Sequence, residues 1–293
     1  MPYADLVAEE LDVGPRTFLS VDVEDYYHEV EGGRELFASG GLPSNLERNV
    51  ETLLDLFAQH EAHATFFVLS DAVPRLGPQL QRIAAEGHEV ASHGHAHLRA
   101  TWVPPERFRE DIRRAKAILE DASGSEVVGF RAPYFAITEE NLWALDEIAE
   151  AGYRYDSSVA PVRNFAYGIP TAPQRPHRLR NGLVEVPLTR ADVLGRTTLV
   201  GGGFYLRAYP LWLTRTLLRR RGGELPRVFY VHPYELDDRR LNLWDLGADL
   251  PGLRWRPRAM KFVTTYNRRT TLRRLDALLA RWRPGTAIGE ALA

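Results

Sequence analysis

The chain has 293 residues, which is enough for one large α/β domain or two modest ones. Charged residues make up 26% of it and the net charge is −2, so no strong field indicates nucleic acid or an anionic membrane as a partner. The absence of cysteine excludes disulfides and thiolate metal sites, so histidine and carboxylate side chains must hold any metal.

Residues 1–16 are predicted to be an N-terminal extension. They lack the basic and apolar regions of a signal peptide, and no apolar run in the chain approaches the ~20 residues of a membrane span, so we expect a cytoplasmic protein. Strands and helices then alternate, with strands predicted at 17–24, 64–69, 127–130, 153–157 and at the start of HEVASHGHAH, and helices at 45–59, 74–86, 104–121 and 138–151. Gly87 is predicted to end the second helix in the left-handed conformation, and Thr138 to cap the fourth. This alternation is typical of a parallel sheet or barrel.

The second half of the chain is less regular. An extended loop is predicted at 161–181, and further elements follow as strands at 184–186, 198–200 and 227–231 and helices at 209–221 and 268–281. No repeat or linker divides the chain. We therefore predict a single α/β domain with insertions at 17–293, with a core at 17–240 and a C-terminal helical segment at 260–293.

The segment SHGHAH contains three of the nine histidines. His93 and His97 are four residues apart, so one tight turn can direct both at a single cation. A solvated, histidine-rich surface loop explains the spacing equally well. A metal site would need a further ligand, which the acids Asp22, Glu24 and Asp25 can supply.

Polar clusters stand at the carboxyl ends of five predicted strands. They are DVED at 22–25, SHGHAH at 92–97, RAPYF at 131–135, YDSS at 155–158 and VHPYE at 231–235. Parallel α/β folds bring such strand ends to one face and place their sites there. The five clusters are therefore predicted to form one site.

The order of these motifs resembles the NodB-homology polysaccharide deacetylases, carbohydrate esterase family 4, over roughly residues 17–235. GGGFYLRAYP, FYVHPYELD and the terminal TTYNRRTTLRRLDALL resemble the branch found with bacterial exopolysaccharide loci of the PEP-CTERM and XrtA type. The resemblance implies a deformed (β/α) barrel. It also implies metal-dependent hydrolysis of N-acetyl groups on amino sugars of a bacterial polysaccharide or its precursor, with release of acetate.

The resemblance also implies roles for the histidines and acids. His93 and His97 match the metal-binding histidines, and Asp22 matches the general base. The resemblance to family members with an acid-x-acid opening favours Glu24 as the carboxylate ligand. Strand geometry agrees, because residues 22 and 24 point to the same face, and Asp25 stays open as an alternative. The implied cation is Zn²⁺, with Co²⁺, Ni²⁺ or Mn²⁺ as alternatives.

Four further residues match catalytic positions of the family. Arg131 matches the arginine that pairs with the base, and the Tyr134 N–H matches an oxyanion donor. His232 matches the general acid, and Asp156 matches the carboxylic acid that pairs with His232. The residues expected to line the substrate cleft are Tyr26, His28, Pro133, Phe135, Gly202 and Tyr230. The glycines at 201–203 are predicted to form a tight backbone passage beside the cleft, with a plain hairpin turn as the alternative.

Two other functions remain open. A PuuE-like amidase that acts on a small cyclic amide shares the fold and the acid-x-acid opening, but the histidine pair argues against it. An inactive carbohydrate-binding homologue is disfavoured because base, ligands and acid are all present. We therefore expect an N-acetylated oligo- or polysaccharide as the partner.

Overall fold

The computed structural model describes residues 1–29, 33–38, 40, 43–164, 167–220, 224–237 and 262–293. The strands are β1 (Val7–Glu10), β2 (Thr17–Val23), β3 (Ala64–Val68), β4 (Glu89–Ser92), β5 (Gly129–Phe130), β6 (Tyr155–Asp156), β7 (His177–Leu179), β8 (Val184–Glu185), β9 (Arg190–Val193), β10 (Arg196–Leu199) and β11 (Arg227–Val231). The helices are α1 (Gly33–Ala38), α2 (Leu46–Gln59), α3 (Val73–Ala85), α4 (Pro105–Ser123), α5 (Trp143–Glu150), α6 (Gly203–Ala208), α7 (Leu211–Arg220), α8 (Thr271–Leu279) and α9 (Ile288–Leu292). The predicted element and segment ends at residues 221, 240 and 260 lie outside the described residues.

Nine of these strands form one sheet in the order β1-β7-β8-β6-β5-β4-β3-β2-β11, while β9 and β10 form a separate hairpin. The seven strands from β8 to β11 in this order are parallel, and β7 and β1 add an antiparallel edge. No ladder joins β1 to β11 within the described part of the chain, so the sheet stays open. The predicted α/β class is confirmed, and the open parallel sheet is consistent with a deformed barrel.

The register of the parallel strands brings the polar motifs together. Val21 on β2 pairs with Val231 on β11, so Asp22 and His232, one residue further along, emerge side by side. On the other flank Val68 pairs with Ser92, Ser92 with Phe130, and Phe130 with Asp156. Hydrophobic residues fill the strands on both faces, as is usual for parallel strands covered by helices on each side.

Two sequence predictions fail locally. The helix predicted from residue 138 begins instead at Trp143, because the Thr138 N–H and hydroxyl both donate to Asn141 Oδ1 and close a turn. Strand β1 lies in the predicted extension and pairs with β7, which lies in the predicted loop. Both strands are short, β1 forms the edge of the sheet, and its burial shows no alternation that a pattern search would detect. By contrast, Gly87 does take the left-handed conformation, with φ of 76°.

None of the helices that the structure describes is long and apolar enough to cross a membrane.

The glycine passage at 201–203 is not a hairpin turn. Helix α6 begins at Gly203, and Gly202 forms a parallel bridge with Tyr230 on the outer edge of β11. A Cβ atom on Gly202 would overlap the ring of Tyr230, which is buried. The glycine therefore lets the backbone lie flat against this ring.

Gly202→Val is expected to lower the melting temperature, since overpacking at a buried contact typically costs about 1–3 kcal/mol. Gly285→Val is the matched control, because nothing lies within 4 Å of a Cβ atom at that position. Thermal denaturation followed by circular dichroism measures both variants. A Gly202→Val protein with an unchanged melting temperature and impaired substrate binding would contradict this and indicate that the passage acts mainly on the ligand.

Candidate active site

Glu24, His93 and His97 bring three ligand atoms within 4.8 Å of one another, and all three side chains are buried. Glu24 Oε2 lies 3.8 Å from His93 Nε2 and in direct contact with His97 Nε2. The Nδ1 atom of His93 is 2.8 Å from the Arg131 carbonyl oxygen, and that of His97 is 3.0 Å from the His28 carbonyl oxygen. Because a carbonyl only accepts hydrogen bonds, each Nδ1 carries the proton and each Nε2 presents its lone pair to Glu24.

This donor set fits a divalent cation. Glu24 Oε2 and His97 Nε2 are buried without a hydrogen-bond partner among the described residues, an arrangement that is costly unless another group satisfies them. Burial lowers the pKa of His93 to about 3 and also lowers that of His97, so both rings are neutral at pH 7. Burial raises the pKa of Glu24 to about 7. Two neutral imidazoles and one carboxylate are a common set for Zn²⁺ with an open position.

His93→Ala or His97→Ala is expected to abolish stoichiometric metal binding while leaving the melting temperature nearly unchanged. Both rings lie at strand and loop ends, so their removal should not open the core. His95→Ala is the matched control, since His95 faces away to Ser70 Oγ at 2.8 Å. Elemental analysis after dialysis measures bound metal. Full metal content in the His93→Ala protein would contradict the ligand assignment.

Asp22 is held by a fully buried arginine. Arg131 donates from Nη1 to Asp22 Oδ1 at 2.6 Å and to Ser20 Oγ at 2.8 Å, and from Nη2 to Ser157 Oγ at 2.9 Å. Burial alone would raise the pKa of Asp22, but Arg131, with smaller contributions from His93 and His232, brings it below its usual value. Asp22 is therefore ionised near neutral pH.

His232 completes the cluster. Its Nε2 atom lies 3.4 Å from Glu24 Oε1 and 3.8 Å from Asp22 Oδ2, and its side chain keeps 13% of its surface accessible. Burial alone would lower the pKa of His232, but Glu235, followed by Glu24 and Asp22, raises it to about 10. His232 is thus protonated at pH 7, in contrast to His93 and His97.

The expected pairing of Asp156 with His232 is wrong in this structure. Within the described chain, Asp156 accepts hydrogen bonds from Ser158 Oγ at 2.5 Å and from the Ser158 N–H at 3.3 Å. The carboxylate nearest to His232 Nδ1 is instead Glu235 Oε1, at 3.5 Å. Strand order explains the difference, because β6 lies five positions from β11 across the sheet.

Asp25 is not part of the three-residue group. Its carboxylate accepts a hydrogen bond from the Tyr26 N–H at 2.8 Å and another from Ser44 Oγ. Its own N–H donates to His28 Nδ1 at 2.9 Å. The chain turns after β2, so Asp25 points into the adjoining loop while Glu24 points at the histidines.

The residues expected to line the cleft divide into two groups. Tyr26 and His28 are buried and make internal contacts, Tyr26 through its hydroxyl to the Pro43 carbonyl and His28 through Nε2 to Asp71 at 3.7 Å. Phe135 and Tyr230 pack edge to face with ring centres 5.1 Å apart, and Tyr230 lies 5.8 Å from the His232 ring. This second pair therefore packs beside His232, whereas the His28 ring lies 5.9 Å from that of His97. Gly202 packs against the Tyr230 ring, and Pro133 precedes the pair in the chain.

Tyr134 has a strained backbone. Its φ is 60° and that of Phe135 is 51°, both in the left-handed region that residues with a side chain rarely adopt. Its hydroxyl donates to the His28 carbonyl at 3.0 Å, and its ring lies 4.5 Å from that of His97. The Tyr134 N–H has no acceptor among the hydrogen bonds of the described residues, so it is available to a ligand.

Sequence reasoning overlooked two acids of this cluster. Glu235 was noted only as the end of a motif, and Glu29 was not singled out. Burial, followed by repulsion from the adjacent Glu24, raises the pKa of Glu29 to about 7. Neither acid stands in a spacing that identifies a ligand or base.

Comparisons with known proteins divide the chain in two. Residues 39–155 match the family described as polysaccharide deacetylase, and residues 157–287 match a domain of unknown function, DUF3473. The candidate site crosses this division. Asp22 and Glu24 precede both matches, His93 and Arg131 lie in the first, and His232 lies in the second.

Two curated relatives are similar over shorter stretches. A peptidoglycan-N-acetylglucosamine deacetylase of Bacillus cereus is 32% identical over 96 residues, which are 32% of this chain and 35% of the relative. A chitooligosaccharide deacetylase of Rhizobium leguminosarum bv. phaseoli is 37% identical over 94 residues, which are 31% of this chain and 41% of the relative. The chain thus matches well under half the length of each.

Solved structures share the fold over a longer range. A Mycobacterium smegmatis protein assigned provisionally to the polysaccharide deacetylases aligns with a TM-score of 0.56 and 21% identity, over 80% of this chain and 82% of that one. A family 4 carbohydrate esterase pseudoenzyme from Bacillus anthracis aligns with a TM-score of 0.50 and 12% identity, over 96% of this chain and 66% of that one. These two alignments show a shared fold, and residues 39–155 of the chain are similar in sequence to polysaccharide deacetylases.

Proposed function

We propose that the protein hydrolyses N-acetyl groups on the amino sugars of a bacterial polysaccharide or its precursor and releases acetate. The observation that carries the proposal is one compact cluster. A cation-binding group of Glu24, His93 and His97 lies beside an aspartate held ionised by Arg131 and within 4 Å of His232. Metal, base and acid are the parts that amide hydrolysis requires.

Three side chains bind the cation and a fourth acts as the base. Glu24, His93 and His97 would hold a divalent cation, Zn²⁺ by default and Co²⁺, Ni²⁺ or Mn²⁺ as alternatives, which when bound polarises a carbonyl and lowers the pKa of water. Asp22 accepts the proton of the attacking water through its Oδ2 atom, while Arg131 occupies Oδ1.

The remaining groups act on the substrate. His232 is protonated and accessible, so it donates a proton to the departing amine. The Tyr134 N–H donates to the carbonyl oxygen as negative charge develops there; one such donor is typically worth about 3–4 kcal/mol. The aromatic pair Phe135 and Tyr230 packs beside these groups and walls the acyl side of the cleft.

The substrate class follows from the relatives and the motifs. The similar curated proteins are described as peptidoglycan and chitooligosaccharide deacetylases, so an N-acetylated glycan is the chemistry to test first. The likeness of GGGFYLRAYP and FYVHPYELD to the exopolysaccharide-locus branch favours an exopolysaccharide or its precursor. Asp22 and Glu24 precede both matched regions, the two histidine ligands lie in the first and His232 lies in the second, so we also propose that residues 17–293 act as a single domain.

Acetate release from N-acetylated chitooligosaccharides and peptidoglycan fragments tests the proposal, with each of the four cations and with a chelator. Metal-dependent acetate release would support it. Hydrolysis of a small cyclic amide but of no glycan would favour the PuuE-like alternative. Glycan binding without acetate release, under every metal tested, would overturn the proposal and indicate an inactive homologue.

A further inference from the structure

Arg207, on helix α6 within GGGFYLRAYP, is a fully buried arginine outside the five polar clusters at the strand ends. Its Nη2 atom donates to Glu235 Oε1 at 2.8 Å and to the Val263 carbonyl at 2.9 Å, and its Nη1 atom donates to the Tyr266 carbonyl at 2.6 Å. Both side chains of the Arg207–Glu235 pair are only 1% exposed. A charged pair this deep must have its hydrogen bonds satisfied to be tolerated, and the two carbonyls contribute to that.

Glu235 is fixed to His232 at several points. The Glu235 N–H donates to the His232 carbonyl oxygen at 3.0 Å. In return, the His232 N–H donates to the Glu235 side chain, at Oε2, over 3.3 Å. Glu235 Oε1, the atom that Arg207 holds, lies 3.5 Å from His232 Nδ1. That nitrogen is buried and has no hydrogen-bond partner in the described part of the chain.

We propose that Glu235 and Arg207 are positioning residues for His232, in the place that the resemblance gave to Asp156. Glu235 directs the Nδ1–H of His232 inward, so that Nε2 is the nitrogen facing the cleft, Asp22 and Glu24. Arg207 fixes Glu235 and is itself anchored to the segment 263–266. This inference rests on the proposed function, in which His232 protonates the leaving amine.

The charge arrangement explains why two residues are needed. Glu235 is wholly buried, and loss of Arg207 would remove its closest ion-pair partner, which the interior disfavours strongly. Arg207 donates from two nitrogens in a fixed planar geometry, from Nη2 to the carboxylate and a main-chain carbonyl and from Nη1 to a second carbonyl, which a lysine cannot reproduce. Asn267 Nδ2 in turn donates to the Arg207 carbonyl at 3.1 Å, so the C-terminal segment holds both ends of this residue.

Glu235→Gln separates positioning from a purely structural role by its dependence on the leaving group. With an N-acetylated chitooligosaccharide, kcat should fall about 10–100-fold, the usual cost of losing a supporting residue, while KM and bound metal stay unchanged. With 4-nitrophenyl acetate the loss should be much smaller, because nitrophenolate leaves without a proton. Arg207→Lys should show the same selectivity to a lesser degree.

Asp156→Asn is the matched control. Asp156 bonds Ser158, whose hydroxyl accepts the Ala132 N–H at 2.7 Å beside Arg131, so its replacement should affect the two substrates equally. A selective loss with Asp156→Asn and none with Glu235→Gln would overturn the inference and restore the family pairing.

A spectroscopic readout keeps this inference distinct from the proposed function. The ¹⁵N NMR signals of the His232 ring, compared at one pH in wild-type protein and variants, report which nitrogen is protonated and hydrogen-bonded. Glu235→Gln should shift the Nδ1 signal, and Asp156→Asn should not. If the wild type releases no acetate from any glycan, the proposed function fails while this comparison still stands. An unchanged His232 spectrum in Glu235→Gln would overturn the inference by itself.

Discussion

Replacing Asp22 with asparagine is expected to lower kcat by roughly 10²–10⁴-fold, the range for loss of a positioned base, while the protein keeps its bound metal. Asparagine retains an oxygen to accept the Arg131 hydrogen bond now made at 2.6 Å, so the buried arginine keeps a partner. It cannot accept the proton of a water molecule at neutral pH. Initial rates of acetate release, together with elemental analysis of the same sample, measure both quantities.

Asp22→Ala provides the control for this result. Alanine leaves the fully buried Arg131 charge without its carboxylate, and breaking a buried ion pair in this way typically costs about 3–5 kcal/mol of stability. The alanine variant should therefore lose both activity and stability, and the asparagine variant mainly activity. An Asp22→Asn protein that purifies without metal would show that Asp22 is a ligand and that the roles of Asp22 and Glu24 are exchanged.

Glu24→Gln is expected to weaken metal binding by more than the roughly 10–100-fold that loss of a supporting residue costs, because it removes the anionic ligand itself. Glu24 Oε2 is the atom that approaches both histidine Nε2 atoms, and a neutral amide replaces its charge. Titration of metal-depleted protein by isothermal calorimetry gives the affinity. Added metal should partly restore activity.

Asp25→Asn is the neighbouring control. Its carboxylate bonds Ser44 and the Tyr26 N–H, so its replacement should reduce metal affinity or activity by at most about 10–100-fold. A metal-free Asp25→Asn protein beside a metal-replete Glu24→Gln protein would move the ligand to Asp25 and leave the other assignments in place.

The meeting of Glu24, His93 and His97 could be anticipated because it follows from local order. Each residue lies at or just beyond the carboxyl end of a parallel strand, and in-register pairing of β2, β3 and β4 carries these ends to one edge. The acid-x-acid spacing on β2 likewise sends residues 22 and 24 to one side. Such arguments need only strand direction and register.

The partner of His232 could not be anticipated in the same way. Which carboxylate reaches His232 depends on the order of the strands and on the curvature of the sheet. No sequence pattern specifies either of these properties. Asp156 lies on β6, far along the sheet order from β11, whereas Glu235 is three residues from the histidine in the turn Pro233–Leu236. The short strands β1 and β7 could not be predicted for a related reason, because long-range pairing rather than a local sequence pattern defines them.

The pairing of β2 with β11 sets the order in which this molecule can assemble. Ser20 on β2 donates to the Phe229 carbonyl on β11, and 209 residues separate the two along the chain. Contacts of such separation form late, since a long loop must close before they stabilise anything. The proposed ligands follow β2 and β4, which are synthesised early, whereas His232 follows β11, the last strand of the sheet that the structure describes. Under the proposed function, a nascent chain acquires its cation-binding residues well before its proton donor, so metal uptake is separable in time from catalytic competence.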